Sequence, residues 1–261
     1  MKLPSVERKE TPEEEELSRK RLEMARLEAE LADLELARAT LLGEIEAFGR
    51  IYTRVVGLKY AELDEIEAEL SEILAARQPE SDELRQQATA SRAKADSSQK
   101  AASAEASSLE PFKPTEDLKR LYRRVAKAVH PDLAADDGER ERRTNLMAAA
   151  NAAYRAGDAE KLQEILNDWS TSPEGVVGEG TGAELVRIIR QIARLRRAIE
   201  AASAAIEKLE SSEMNQIRLR VEMEAKRGND LLRSLRDQIE ARIEEARHRL
   251  DEARSGARSQ A

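Results

Sequence analysis

LKRLYRRVAKAVHPD, residues 118–132, is the stretch on which the reading of this chain turns. Leu118, Leu121, Tyr122, Val125 and Val129 recur at spacings of three and four, which gathers them on one face of an α-helix. Lys119, Arg120, Arg123, Arg124 and Lys127 make the opposite face basic, while Glu116 and Asp117 fall in the first turn, where the helix dipole favours acids. Thr115 is placed to cap the first amides. Pro131 ends the helix, because a proline drives the residue before it, here His130, out of the helical region. His130 and Asp132 are thereby expected on a loop.

Downstream, Met147, Ala150, Asn151, Ala153 and Tyr154 set two apolar positions ahead of an Asn-x-Ala-Tyr run on a further helix. A basic helix, an HPD loop and this second motif at this separation resemble the J-domain of the DnaJ co-chaperone family. The resemblance covers about Phe112 to Trp169 and implies two antiparallel helices joined by the HPD loop. It also implies a first helix upstream, yet residues 85–108 contain no Val, Ile, Leu, Met, Phe, Tyr or Trp. Another segment is therefore expected to cover the hairpin. The nearest candidate carries Leu162, Ile165, Leu166 and Trp169 on one helical face, and Phe112 is expected to fold back onto the same surface.

Around this unit the composition points to an all-α, elongated molecule of coiled-coil helices flanking a small J-domain-like hairpin. Of 261 residues, 37% are charged and 3% aromatic, which is too few bulky side chains for a large compact core. Thr11, Pro12 and Glu14 form a helix start with a capping box. Beyond it Met24, Leu27, Leu31, Leu34, Leu41, Ile45, Phe48, Tyr52 and Val55 form a heptad seam interrupted by Arg38. The seam resumes one residue out of step at Leu63, Ile66, Leu70 and Ile73, so a kink or a hairpin is expected at Val56-Gly57-Leu58, with the kink preferred. Residues 78–110 lack any apolar period and read as a flexible Ala/Ser-rich linker.

After the J-like unit, residues 171–181 read as a Gly-rich loop. Neither a preceding strand nor a following Gly-Lys-Ser/Thr supports a phosphate-binding function there. Thr181 and Glu184 offer a second capping box. From it Leu185, Ile188, Ile192, Leu195, Ile199, Ala202, Ile206 and Leu209 open a second coiled coil, with a turn or break expected at Ser211-Ser212 and a weak point at Gly228. The expected organisation is thus an N-terminal coiled coil (11–77), a linker (78–110), a J-like unit (111–170), a loop (171–181) and a C-terminal coiled coil (182–256). Heptads leave open whether the seams pair within one chain or in a homodimer.

The chain has no cysteine, which excludes disulfides and the zinc module of longer DnaJ proteins. No apolar run reaches membrane-span length, so a cytoplasmic protein without membrane attachment is expected. A net charge of −8 speaks against a general nucleic-acid binder, and the cluster Arg187, Arg190, Arg194, Arg196 and Arg197 reads as a solvated helix face. The two histidines, His130 and His248, have no matching nucleophile, so a non-enzyme without cofactor or metal is expected. The J-domain resemblance implies that His130, Pro131 and Asp132 trigger ATP hydrolysis by a DnaK-type chaperone. It implies further that Lys119, Arg120, Arg123, Arg124 and Lys127 dock on that chaperone's acidic surface, while the coiled coils recruit a client or a location. The competing expectation is a structural coiled-coil scaffold whose J-like hairpin has no partner.

Overall fold

The computed structural model describes residues 11–103, 111–134, 136–170 and 181–258, and all regular secondary structure among them is helical. The fold class is all-α. Helix α1 spans Pro12–Tyr52, and a π-helical turn over Thr53–Gly57 leads into α2 (Leu58–Arg77). The remaining helices are α3 (Asp82–Ser103), α4 (Glu116–Val129), α5 (Asp137–Ala156), α6 (Ala159–Ser170), α7 (Thr181–Glu210), α8 (Glu213–Lys226) and α9 (Leu231–Arg258). A 3-10 turn, Pro131–Leu133, separates α4 from α5. Most of the expected Gly-rich loop and the end of the expected linker lie outside the described residues.

The chain forms two compact units, each built from separated stretches: Met1–Glu44 with Phe112–Ser212, and Ile45–Pro111 with Glu213–Ala261. This replaces the expected succession of five segments, because each long heptad region is divided between the two units. Heptad positions meet within one chain. In the first unit Leu17 and Leu31 of α1 pack with Ile188, Ile192 and Leu195 of α7. In the second, Leu63 and Leu70 of α2 pack with Ile239, Ile243 and Leu250 of α9.

Local chemistry explains the boundaries. The amide of Thr11 donates to Glu14 Oε2 at 2.8 Å and that of Glu14 to Thr11 Oγ1 at 3.3 Å, which completes the expected capping box. Between α1 and α2 the backbone stays right-handed helical at Tyr52, Gly57 and Leu58, so no hairpin forms. A π turn bonds i to i+5 and takes up one more residue than an α turn, which accounts for a seam that resumes one position late. Gly228, at φ +84°, ends α8 in the left-handed conformation, and Asp230 accepts from the amide of Arg233 at 2.9 Å to start α9. The expected weak point is thus a full break.

The linker expectation for 78–110 is corrected, since α3 occupies most of that stretch and packs on α2 within the second unit. Its contacts are small and polar instead of bulky and apolar. Ala95 is buried, Ser98 Oγ donates to Asp64 Oδ2 at 2.6 Å, and Lys94 Nζ lies 2.8 Å from Asp64 Oδ1. Arg92 donates to both Glu65 and Glu72 at 2.7 Å. A search for large apolar residues passes over such an interface, because alanines and serines let helix backbones approach while ion pairs set the register.

The core that matters for the HPD motif lies in the first unit. Leu118, Tyr122, Val125 and Val129 of α4 meet Met147, Ala150, Ala153 and Tyr154 of α5, and Leu162 and Ile165 of α6 close one side. Leu166, Trp169 and Phe112 pack on this cluster at its partly exposed margin, as the sequence led us to expect. The other side is closed by α1, through Ala32, Leu36 and Ala39. Gly43 extends this approach: the Phe112 ring lies so close that a Cβ at position 43 would sit 2.6 Å from it. This side of the hairpin is therefore covered from about 80 residues upstream, by a stripe at spacings of four and three that is mostly alanine.

Candidate functional site

The HPD loop is built by caps on both of its sides. Thr115 accepts from the amide of Leu118 at 3.2 Å and starts α4. His130, at φ −60° and ψ 130°, ends that helix in the extended conformation imposed by Pro131. The His130 ring then acts as a cap itself, its Nδ1 accepting from the amide of Asp132 at 3.2 Å. Asp136 accepts from the amide of Glu139 at 2.8 Å and starts α5.

Behind the loop lies Arg143, buried on α5. Its Nη1 donates to the carbonyl of Ala128 at 2.9 Å and to that of His130 at 3.3 Å, so one guanidinium satisfies the C-terminal end of α4. Nη2 of the same side chain is 2.7 Å from Glu139, and the guanidinium lies over the Trp169 ring at 4.4 Å. Tyr122 donates to Asn151 Oδ1 at 2.5 Å and stacks obliquely on Tyr154, with ring centroids 4.6 Å apart. The Tyr154 hydroxyl in turn is 2.8 Å from Thr40 Oγ1 of α1. The Asn-x-Ala-Tyr motif is thus the clamp that fixes α5 on α4 and on α1.

All eight residues singled out in the sequence lie on α4 or on the turn that follows it. Arg120 and Arg124 are exposed, and Lys119 is half-buried. Lys119 pairs with Glu116 at 2.8 Å, and Arg120 pairs with Asp117, both within α4. Arg123 and Lys127 pair instead with α1: Arg123 Nε is 2.6 Å from Asp33 Oδ1, and Lys127 Nζ is 3.6 Å from Glu28 Oε2. Pro131 and Asp132 are half-buried. His130 is only 7% exposed, which departs from the expectation of a freely presented side chain. The physical reason is the packing of α1 and α7 against the turn.

Glu35 is a functional candidate that sequence reading missed. It is buried on α1, its Oε1 is 3.9 Å from His130 Nε2, and its Oε2 accepts from Arg38 at 2.7 Å. Burial alone would raise the pKa of this carboxyl, but the facing imidazole and the Arg38 guanidinium overcome it and hold the value below the ordinary 4.5. The seam interruption at Arg38 is thereby explained. Because the folded-state pKa is depressed, the carboxylate stabilises the first unit fully above pH 4.5, and that contribution is lost as the pH falls through the lower folded value. The stability difference between wild type and Glu35→Gln, measured by urea unfolding, should therefore be largest near neutrality and shrink below pH 4.5. A difference independent of pH would show that the charge of Glu35 has no part in holding the turn.

Of the arginine cluster on α7, Arg194 donates to the carbonyl of Ala134 at 2.7 Å and Arg196 pairs with Glu23 at 2.6 Å, so two of its members serve the fold. His248 is an exposed residue on α9, 3.5 Å from Glu252. Among the described residues no helix is long and apolar enough to cross a membrane, and no cluster of three or more His, Cys, Asp or Glu could hold a metal ion. No protein-family model matches the chain, and comparison with curated proteins and with solved structures gives no significant match.

Proposed function

We propose that the chain is a non-enzymatic J-domain-like co-chaperone, in which α4 and the HPD turn act on a DnaK-type ATPase while the long helices bring that ATPase to a client or a location. One observation carries this reading: the His130-Pro131-Asp132 turn sits at the tip of an antiparallel hairpin, its carbonyl anchored by buried Arg143, directly after a helix whose outer face is basic. Such an arrangement suits recognition of an acidic partner surface. Complementary charge accelerates encounter, and a small well-anchored loop supplies specificity. Lys119, Arg120, Arg123, Arg124 and Lys127 would steer, and His130, Pro131 and Asp132 would trigger.

The test is single-turnover ATP hydrolysis by a DnaK-type chaperone, with the full chain and with His130→Gln at matched concentrations. The expected result is a rate that rises with the wild-type chain and stays at its basal value with the variant. If neither the wild type nor the charge-reversed chain described below raises the rate while both are folded, the co-chaperone reading fails and a helical scaffold replaces it.

A further inference from the structure

The same geometry that builds the HPD turn also covers it. Both ring nitrogens of His130 point into the fold: Nδ1 accepts from the amide of Asp132 at 3.2 Å, and Nε2 faces the buried Glu35 carboxylate at 3.9 Å. Across the turn, Leu133 packs on the cluster formed by Leu31 of α1 and Leu195 of α7, and Arg194 of α7 holds the Ala134 carbonyl. On the adjoining basic face, Asp33 and Glu28 of α1 take Arg123 and Lys127. Three carboxylates of one helix thus stand against two of the docking cations and the trigger histidine. An acidic partner surface would have to occupy the same places.

The strengths of these contacts differ. Ala32, Leu36 and Ala39 hold α1 on the hairpin through buried apolar area, which charge competition does not disturb. The Asp33–Arg123 pair is exposed, with side chains 63% and 40% accessible, and pairs of that kind contribute little and are easily exchanged. The charged contact that α1 makes with the basic face is therefore weak, where the apolar packing of α1 beneath it is strong.

We infer that α1 and α7 form a built-in cover over the HPD turn, in which Glu28, Asp33 and Glu35 stand in for the acidic surface of the partner, so that the chain is closed until a partner displaces them. This inference rests on the co-chaperone reading for the identity of the partner; the cover itself has a separate readout. His248 is 75% exposed at its side chain and His130 is 8% exposed, and they are the only two histidines, so one is an internal reference for the other. Diethyl pyrocarbonate acylates accessible imidazoles, and mass spectrometry gives the ratio of the two modification rates in the full-length chain.

In the wild type, His130 should react far more slowly than His248. Reversing two pairs with Glu28→Lys and Asp33→Lys should raise the His130 rate relative to His248 by about tenfold, the factor expected when two surface attractions become repulsions. Circular dichroism checks that the variant is folded. Arg194→Ala, which removes only the hold on the Ala134 carbonyl, is the second variant if the first is not. In chaperone-stimulated hydrolysis the opened chain should reach half-maximal stimulation at a lower concentration than the wild type, and adding His130→Gln should abolish the gain.

Equal His130 and His248 rates in the wild type, or a ratio unchanged in both folded variants, would overturn the cover. So would a wild type that stimulates as effectively as the opened chains. Faster modification of His130 without any stimulation would uphold the cover and remove the co-chaperone reading instead, which separates the two failures.

Discussion

Tyr122→Ala is expected to destabilise the first unit by about 3–5 kcal/mol, the cost of deleting a fully buried aromatic side chain and leaving its cavity. Tyr122 is completely inaccessible, stacks on Tyr154 and touches α5 through Asn151. It stands where α4, α5 and the α1 stripe converge, so no neighbour can move in to fill its place without breaking another contact. Typical domains have only about 5–15 kcal/mol in total, so the loss would be a large fraction of the stability of this unit. Tyr122→Phe keeps the ring and should cost less, about 1 kcal/mol, because Asn151 Oδ1 loses its donor at a half-buried position. Urea unfolding followed by tryptophan fluorescence reads both, since Trp169 is the only tryptophan and packs on the same cluster. A Tyr122→Ala loss under about 1 kcal/mol would be incompatible with this core.

Arg143→Ala should have a comparable effect, about 3–5 kcal/mol, because breaking one side of a buried, hydrogen-bonded ion pair leaves desolvated groups behind. The guanidinium satisfies the carbonyls of Ala128 and His130, pairs with Glu139 and lies over Trp169, so a single substitution loosens the end of α4, the start of α5 and the packing of α6. Arg143→Lys retains the charge but not the planar fork that reaches two carbonyls and a carboxylate together, and should recover less than half of the loss. The same variants test the turn as well as the stability. Under native conditions, Arg143→Lys should raise the reactivity of His130 toward diethyl pyrocarbonate while leaving that of exposed His248 as it was. Equal stability of wild type and Arg143→Lys would show that the fork geometry contributes nothing and that a point charge is enough.

Both predictions concern residues that the sequence had placed unequally. Tyr122 was legible as an apolar position on α4 from its helical spacing, and Asn151 only through the motif that carries the J-domain resemblance. Arg143 gave no such signal. In a sequence with 44 Lys and Arg, a buried arginine looks like every solvated one until the carbonyls it reaches are in place. Glu35 was hidden in the same way, as one acid of many beside a heptad seam.

What the sequence by itself determined is therefore what depends on nearest neighbours along the chain. Helical periodicity, the caps at Thr11 and Thr115, the stop at Pro131 and the phase slip near Gly57 are local, and each appears in the structure where its residues required it. Tertiary structure decided what lies across from what. The helix that closes the HPD hairpin comes from far upstream, carrying Ala32 and Ala39, residues too small to register in an apolar pattern. The polar stretch 82–103 becomes a packed helix because Ser98, Lys94 and Arg92 find carboxylates on α2. His130, which local rules put on an open loop, is buried because the seams of α1 and α7 close on each other around it. The physical reason is the same each time: hydrogen bonds within a helix are set by residues a few places apart, whereas burial and charge pairing are set by whichever surface the rest of the chain brings near.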